Sequence, residues 1–273
     1  MIIENAFLKL PELLTSNYDH RDTFEASVGH FFAVAVLMEL QARNIPRAYQ
    51  HVLKEKPYPT RTNTGRPIHS DVFVNLNGAI ETQGRMASYG VREQNWLELK
   101  AFLSSTRSTR TVPKTSNAGK VLRDLLRLCI LPEEFQGSIR QNGRYFLLVC
   151  SDPVKDHLAL QKREWLSTLF SEGNAELHID LSKEPNTLQT AVGSGFVNSP
   201  ELQADFKVRT MVFQPERAIP SPVFWGYLIR ILHFDIAVPG CRVVFDDQPG
   251  DIWEPDRIQS LQNLRHNLLE KLF

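Results

Sequence analysis

HSDVFVNLNGAIETQGRMASYGVREQNWLELKAFL, His69 to Leu103, holds two short apolar runs, and each carries charge where a core strand ordinarily has none. Asp71 opens the first run, and Glu98 and Lys100 sit inside the second. Strand alternation puts Trp96, Glu98 and Lys100 on one face and Leu97, Leu99 and Ala101 on the other. Glu and Lys are seldom fully buried alone, so the first face is expected to be wet, paired or bound to something. If the two strands are neighbours, Asp71 and Glu98 come together with a nearby strand carbonyl such as that of Leu99. Such an all-oxygen set suits Mg2+. An ion held there polarises a phosphodiester and acidifies a bound water. Lys100 is then placed to orient that water or to balance transition-state charge.

Working outward, DTFEASVGHFFAVAVLMELQAR (22–43) has helical spacing, with Asp22 or Thr23 as N-cap and Asn44-Ile45-Pro46 as a stop. Its middle is apolar on nearly every side, which predicts a helix packed between other elements. Glu25 lies in its first turn, where the helix dipole favours an acid. QHVLKEKPYP predicts an edge strand ending at Pro57 and Pro59. SDVFVNL and NWLELKAFL are the next two strands. SSTRSTRTVPKTSN (104–117) suggests a mobile loop and AGKVLRDLLRLCIL (118–131) a helix, followed by the strand RYFLLVCSD.

Further on, VKDHLALQKREWLSTLF suggests a helix, AELHIDL and FKVRTMVFQ strands, and SPVFWGYLIRILHF a helix or buried segment. CRVVFDD suggests a strand and DRIQSLQNLRHNLLEKLF an amphipathic helix. Strands and helices mix without strict alternation, which predicts an α/β (α+β) class with a mixed central sheet flanked by helices. One domain is expected, with a core over about 22–150 and a C-terminal elaboration from about 175 to 273.

The arrangement resembles the PD-(D/E)XK nuclease superfamily, the restriction-endonuclease-like fold. The residues that carry the resemblance are Ser70-Asp71, then Glu98-Leu99-Lys100, with Glu25 on the preceding helix. They follow the family's order: helix with Glu, strand, strand with Asp, strand with ExK, helix, strand. Ser70 stands where the motif has Pro, and 26 residues separate Asp71 from Glu98, so a long excursion must join the strands. Glu81 and Glu93 in that excursion compete for the metal role. The resemblance implies Mg2+-dependent hydrolysis of DNA, with Asp71, Glu98 and the Leu99 carbonyl on the metal and Lys100 and Glu25 also in the active site. It further implies a type II restriction endonuclease, a homodimer cutting double-stranded DNA. A repair or defence nuclease, or a catalytically dead DNA-binding module of the same fold, shares these features.

The charge distribution agrees. The chain is neutral overall, but Lys54 to Arg127 carries 13 Lys/Arg against 6 Asp/Glu. Arg61, Arg66, Arg85 and Arg92 flank the strands, and Arg107, Arg110, Lys114, Lys120, Arg123 and Arg127 follow the ELK strand; these are the expected phosphate contacts. A rival match, Asp205-Phe206-Lys207 with Asp180 upstream, stands at the start of its strand and has no acid-bearing buried helix ahead of it. Gly193-Ser194-Gly195 is a weak candidate phosphate loop for a metabolic enzyme. The histidines lack HxxxH or Cys pairing, which speaks against zinc, and no GxSxG is present. Cys129, Cys150 and Cys241 are expected to be buried free thiols in a reducing cytoplasm. The N-terminus has no basic n-region, and the most apolar run, Phe31 to Leu40, is too short to span a bilayer, so neither export nor membrane insertion is expected.

Overall fold

β1 (Val52–Arg61), β2 (Pro67–Asn75) and β3 (Gln94–Phe102) form an antiparallel meander in which Val72 faces Leu97 and Phe73 faces Trp96. The computed structural model describes residues 2–17, 24–79, 92–102, 112–132, 142–214, 224–246 and 255–273. β1 lies at the sheet edge and runs through Pro57 and Pro59 to Arg61, further than the prolines suggested. An edge strand tolerates them because one side of its backbone has no partner to lose, and the β1–β2 register shifts between Pro57 and Arg61.

After β3 the chain crosses over through α3 (Lys114–Ile130) to β4 (Asn142–Cys150), which lies parallel to β3. β5 (Gly173–Asp180), β6 (Gln203–Phe213), β7 (Trp225–Val238) and β8 (Cys241–Asp246) complete an eight-stranded mixed sheet in the order β1-β2-β3-β4-β7-β6-β5, with β8 on β7. The fold is therefore α/β with a mixed central sheet. Because β7 pairs β4 directly, the C-terminal strands continue the same sheet.

Two apolar layers cover the sheet. On one face α1 (Ile2–Asn17) and α2 (Phe24–Ala42) pack on Val72, Val74, Leu97, Leu99, Tyr145 and Leu147. On the other, α3, α5 (Glu164–Leu169), α6 (Asn186–Val192) and α7 (Pro255–Leu272) pack on Phe73, Trp96, Phe146, Leu148, Phe206 and Ile229. α2 is sandwiched between α1 and the sheet, as its apolar circumference requires, and Asn44 at φ 57° turns the chain away after it. Its expected caps, Asp22 and Thr23, lie outside the described residues.

The structure adds to the sequence-based reading at residues 2–17 and in β7, and differs from it at the start of α3 and after β4. Residues 2–17 form a helix despite Pro11. α3 starts at Lys114, inside the stretch expected to be a loop, of which 104–111 lie outside the described residues. The segment after β4 is broken into α4 (Val154–His157), a 3-10 turn at Leu160–Lys162 and α5. SPVFWGYLIRILHF supplies most of β7, with Gly226 to Ile231 all buried. A central strand covered on both faces has no polar face, so its pattern is the same as that of a buried helix. Gly193 and Gly195 abut Lys271 of α7; a Cβ on Gly195 would stand 2.6 Å from Lys271 Cα, so these glycines serve helix packing. Among the described residues no helix is long and apolar enough to cross a membrane.

Candidate active site

β2 and β3 pair only from Val72 to Asn75 against Gln94 to Leu97; beyond that they part, while β3 stays paired to β4 as far as Phe102. This leaves a fork in the sheet. On its β3 side the backbone N–H groups of alternate residues have no strand partner, and carboxylates take them instead. Leu99 N donates to Asp71 Oδ2 at 2.6 Å, and Ala101 N donates to Glu25 Oε2 at 3.3 Å. Asp71 comes from β2, and Glu25 from the first turn of α2, which reaches across the end of the fork.

Lys100 stands over the same opening. Its side chain is 14% exposed, and its Nζ lies 3.1 Å from Asp124 Oδ2 and 3.3 Å from Glu25 Oε1. It also donates to the Leu99 carbonyl at 2.9 Å. Burial disfavours the charged ammonium, but Asp124, Glu25 and Asp71 outweigh it and hold the lysine above its ordinary pKa. For Asp71 burial wins: its carboxyl is raised, although the Leu99 N–H and Lys100 pull it down. Asp124 and Glu25 are near enough to add to the rise.

Glu98 occupies a different compartment. It shares a strand face with Lys100, but it is 1% exposed and lies beneath α3. Tyr58 Oη donates to Glu98 Oε1 at 2.6 Å, and Arg127 Nη2 lies 3.2 Å from the same oxygen. Tyr58 in turn stacks on Trp96 with ring centroids 4.7 Å apart, so the pocket around Glu98 is walled by aromatic rings. Burial pushes the Glu98 carboxyl up to about 8 against the pull of Arg127, with Asp124 and Asp71 adding to the rise.

α3 brings two further groups that the motif did not single out as site residues. Asp124, 0% exposed, lies 3.1 Å from Lys100 and 3.4 Å from Arg127 Nη1. Arg127 spans Asp124, Glu98 and the His69 carbonyl, which accepts from Nη2 at 3.0 Å. The signal for Asp124 was present in the sequence. It falls on the same helical stripe as Val121 and Leu128, where an acid has no solvent to face.

The Mg2+ that the resemblance implies can be set against the donors present. Among the described residues no three His, Cys, Asp or Glu side chains stand close enough together to hold a metal ion. The fork itself offers two carboxylates, Asp71 and Glu25, and the Leu99 carbonyl, an all-oxygen set of the kind Mg2+ takes while keeping several waters. The raised pKa of Asp71 marks a carboxylate whose surroundings undercompensate its charge, so a cation would find it favourable. The donors fit, with Glu25 beside Asp71 in the fork and Glu98 behind it.

The expected phosphate contacts divide, and Arg127 is already taken by Glu98, Asp124 and the His69 carbonyl. Arg61 and Arg66 are exposed in and after β1, and Lys120 and Arg123 follow one another along the Asp124–Arg127 side of α3. Lys114 donates to the Lys155 carbonyl at 3.1 Å. Arg92 is a correction: it is 1% exposed, packed at the start of β3 with partners of its own, and cannot reach a DNA backbone. Arg85, Arg107 and Arg110 lie outside the described residues, as does Glu81. Glu93 is half-buried, and its carbonyl accepts from Leu76 N at 2.7 Å.

The rival match lies on an open sheet face. Asp205 pairs with His178 at 2.6 Å and Lys207 with Glu176 at 3.0 Å, all four exposed, while Asp180 caps the turn that begins at Leu181 by accepting from Ser182 N. Among the described residues no helix covers these pairs, and no backbone fork adjoins them, since β6 is paired on both sides there. Cys129, Cys150 and Cys241 are free; Cys129 and Cys150 are buried and Cys241 half-buried, and burial raises all three thiols. Comparison of the chain with protein-family models, with curated proteins and with solved structures finds no match.

Proposed function

We propose that this protein is a Mg2+-dependent endonuclease that hydrolyses DNA phosphodiester bonds, acting as a homodimeric type II restriction endonuclease on double-stranded DNA in the cytoplasm. The observation that carries the proposal is the fork between β2 and β3, where Asp71, Glu25, the Leu99 carbonyl and the Lys100 ammonium line one opening. The order of elements around it, α2, β1, β2, β3, α3 and β4, matches the order that the resemblance calls for.

In this proposal Asp71, Glu25 and the Leu99 carbonyl would hold the ion, with Glu98 fixed behind them by Tyr58 and Arg127. The ion, when bound, polarises the phosphodiester and acidifies a bound water. Lys100, kept protonated by Asp124 and Glu25, lies where an ammonium can orient the attacking water or take up charge on the phosphorane oxygens. Half-buried Lys120 and Arg123 on α3, with exposed Arg61 and Arg66, bring the phosphate backbone to the fork.

One observation favours a second reading, a DNA-binding module of the same fold that cuts nothing. Glu98 is sealed under α3 and bound by Tyr58 and Arg127, the state expected of a structural carboxylate. Plasmid DNA, methylated and unmethylated, incubated with wild-type and Lys100→Ala protein with and without Mg2+ separates the two. Mg2+-dependent cutting by the wild type alone supports the nuclease. Binding without cutting by either protein supports the module, and equal cutting by both moves the active site away from the fork.

A further inference from the structure

We propose that Asp124 is a positioning residue of this site: from beneath α3 it aims the Lys100 ammonium at the fork and the Arg127 guanidinium at Glu98. The inference rests on the nuclease reading for its function but on distances alone for its geometry.

Asp124 is a fully buried acid on a helix stripe that is otherwise Val121, Leu125, Leu128 and their neighbours. A buried ion pair is seldom the most stable filling for such a place, since well-packed apolar residues do as well or better. Its presence therefore asks what its two cations do. Lys100 lies 3.1 Å from one carboxylate oxygen and Arg127 3.4 Å from the other, so a single side chain joins both. Each cation then touches a different part of the site. Lys100 contacts Glu25 and the Leu99 carbonyl in the fork, and Arg127 contacts Glu98 behind it. Arg123, 3.9 Å away, is the remaining cation close to Asp124 among the described residues.

A lysine has four rotatable side-chain bonds and adopts many conformers when unrestrained. Held only by Glu25, which is 46% exposed, and by the carbonyl of its own neighbour Leu99, Lys100 would be free to swing toward solvent. The sealed Asp124 holds its ammonium from the helix side, while Glu25 and the Leu99 carbonyl take it from the fork. α3 thereby sets the positions of two site residues that lie on β3.

Asp124→Asn, which keeps the shape and removes the charge, tests this. Three quantities are read: DNA affinity in Ca2+, single-turnover cutting rate in Mg2+, and the rate at which an amine-reactive reagent labels Lys100, followed by mass spectrometry. The expected result is unchanged affinity, a cutting rate lowered about 100-fold, and faster labelling of Lys100 with other lysines unchanged. A normal cutting rate with Lys100 still protected overturns the proposal. Should Asp124→Asn not fold, Asp124→Glu keeps the charge and displaces it. That variant should cut more slowly than its folded fraction accounts for, and a wild-type rate per folded molecule overturns the proposal. If wild-type protein cuts no DNA, the nuclease reading fails by itself; Lys100 labelling still decides the positioning, and equal labelling in wild type and Asp124→Asn refutes it.

Discussion

Asp71 Oδ2 accepts the backbone N–H of Leu99 at 2.6 Å, across the point where β2 leaves β3. A carboxylate takes the place of a strand carbonyl there, so the sheet opens without leaving that N–H unpaired. The bond occupies one oxygen of Asp71 and leaves the second for a further partner. We expect Asp71→Asn to keep the bond and the fold but to lower Mg2+-dependent cutting by about 100-fold to 1,000-fold. EDTA should abolish cutting in the wild type, and calorimetric Mg2+ titration should show weaker binding by the variant. Full activity in Asp71→Asn would remove this residue from the metal set.

Arg127 is the counter-charge for two buried acids, Glu98 at 3.2 Å and Asp124 at 3.4 Å. Arg127→Ala leaves both without it, and loss of one partner from a buried pair costs about 3–5 kcal/mol. Urea unfolding at pH 7 should show a loss of that order. The loss should be larger at pH 9, where Glu98 has released its proton, than at pH 7, where it still holds it.

The pH dependence of stability follows from Glu98. Folded Glu98 keeps its proton up to about 8, whereas its ordinary value is 4.5. Between those values the folded state binds more protons than the unfolded one, so this group's stabilisation is full below the lower value and is lost as pH rises through the upper. Asp71, also raised by burial, acts in the same direction. Glu98→Gln should flatten the decline in unfolding free energy between mildly acidic and mildly alkaline pH. An unchanged slope would place the titration elsewhere.

Lys120 and Arg123 lie partly exposed along the side of α3 that carries Asp124 and Arg127. Each neutralised phosphate contributes about 0.9 to the slope of log affinity against log salt. Lys120→Ala and Arg123→Ala should each lower that slope by about 1 in fluorescence-anisotropy titrations with duplex DNA. Arg92→Ala should leave the slope alone and lower the melting temperature instead, since Arg92 is buried.

Asp205→Ala and Lys207→Ala should leave DNA cutting at the wild-type rate. Their partners, His178 and Glu176, are exposed with them, and exposed ion pairs contribute about 0–1 kcal/mol. A drop in plasmid cutting by either variant would revive the second acid-x-lysine match.

The elements that alternate cleanly were legible before the structure. In NWLELKAFL Glu98 and Lys100 share a face with Trp96 while Leu97, Leu99 and Ala101 take the other, SDVFVNL alternates in the same way, and both strands lie where that pattern puts them. α2 was legible for a related reason, because a middle that is apolar on nearly every side must be packed between other elements. β7 was not, since a long apolar run suits a buried strand as well as a buried helix. Nor was α1, where Pro11 argues locally against the helix that packing on α2 sustains.

For the site, the sequence by itself determined which residues carry charge on β2, β3 and the start of α2, because side-chain direction along a strand or helix is set by local geometry. Tertiary structure decided how those charges divide. Asp71, Glu25 and Lys100 share the fork because β2 parts from β3 and α2 crosses its end. Glu98, two residues from Lys100 on the same face, is taken by Tyr58 and Arg127 under α3. No periodicity in β3 distinguishes these two positions. What separates them is where α3 crosses the strand, and that depends on how the crossover helix packs on the sheet.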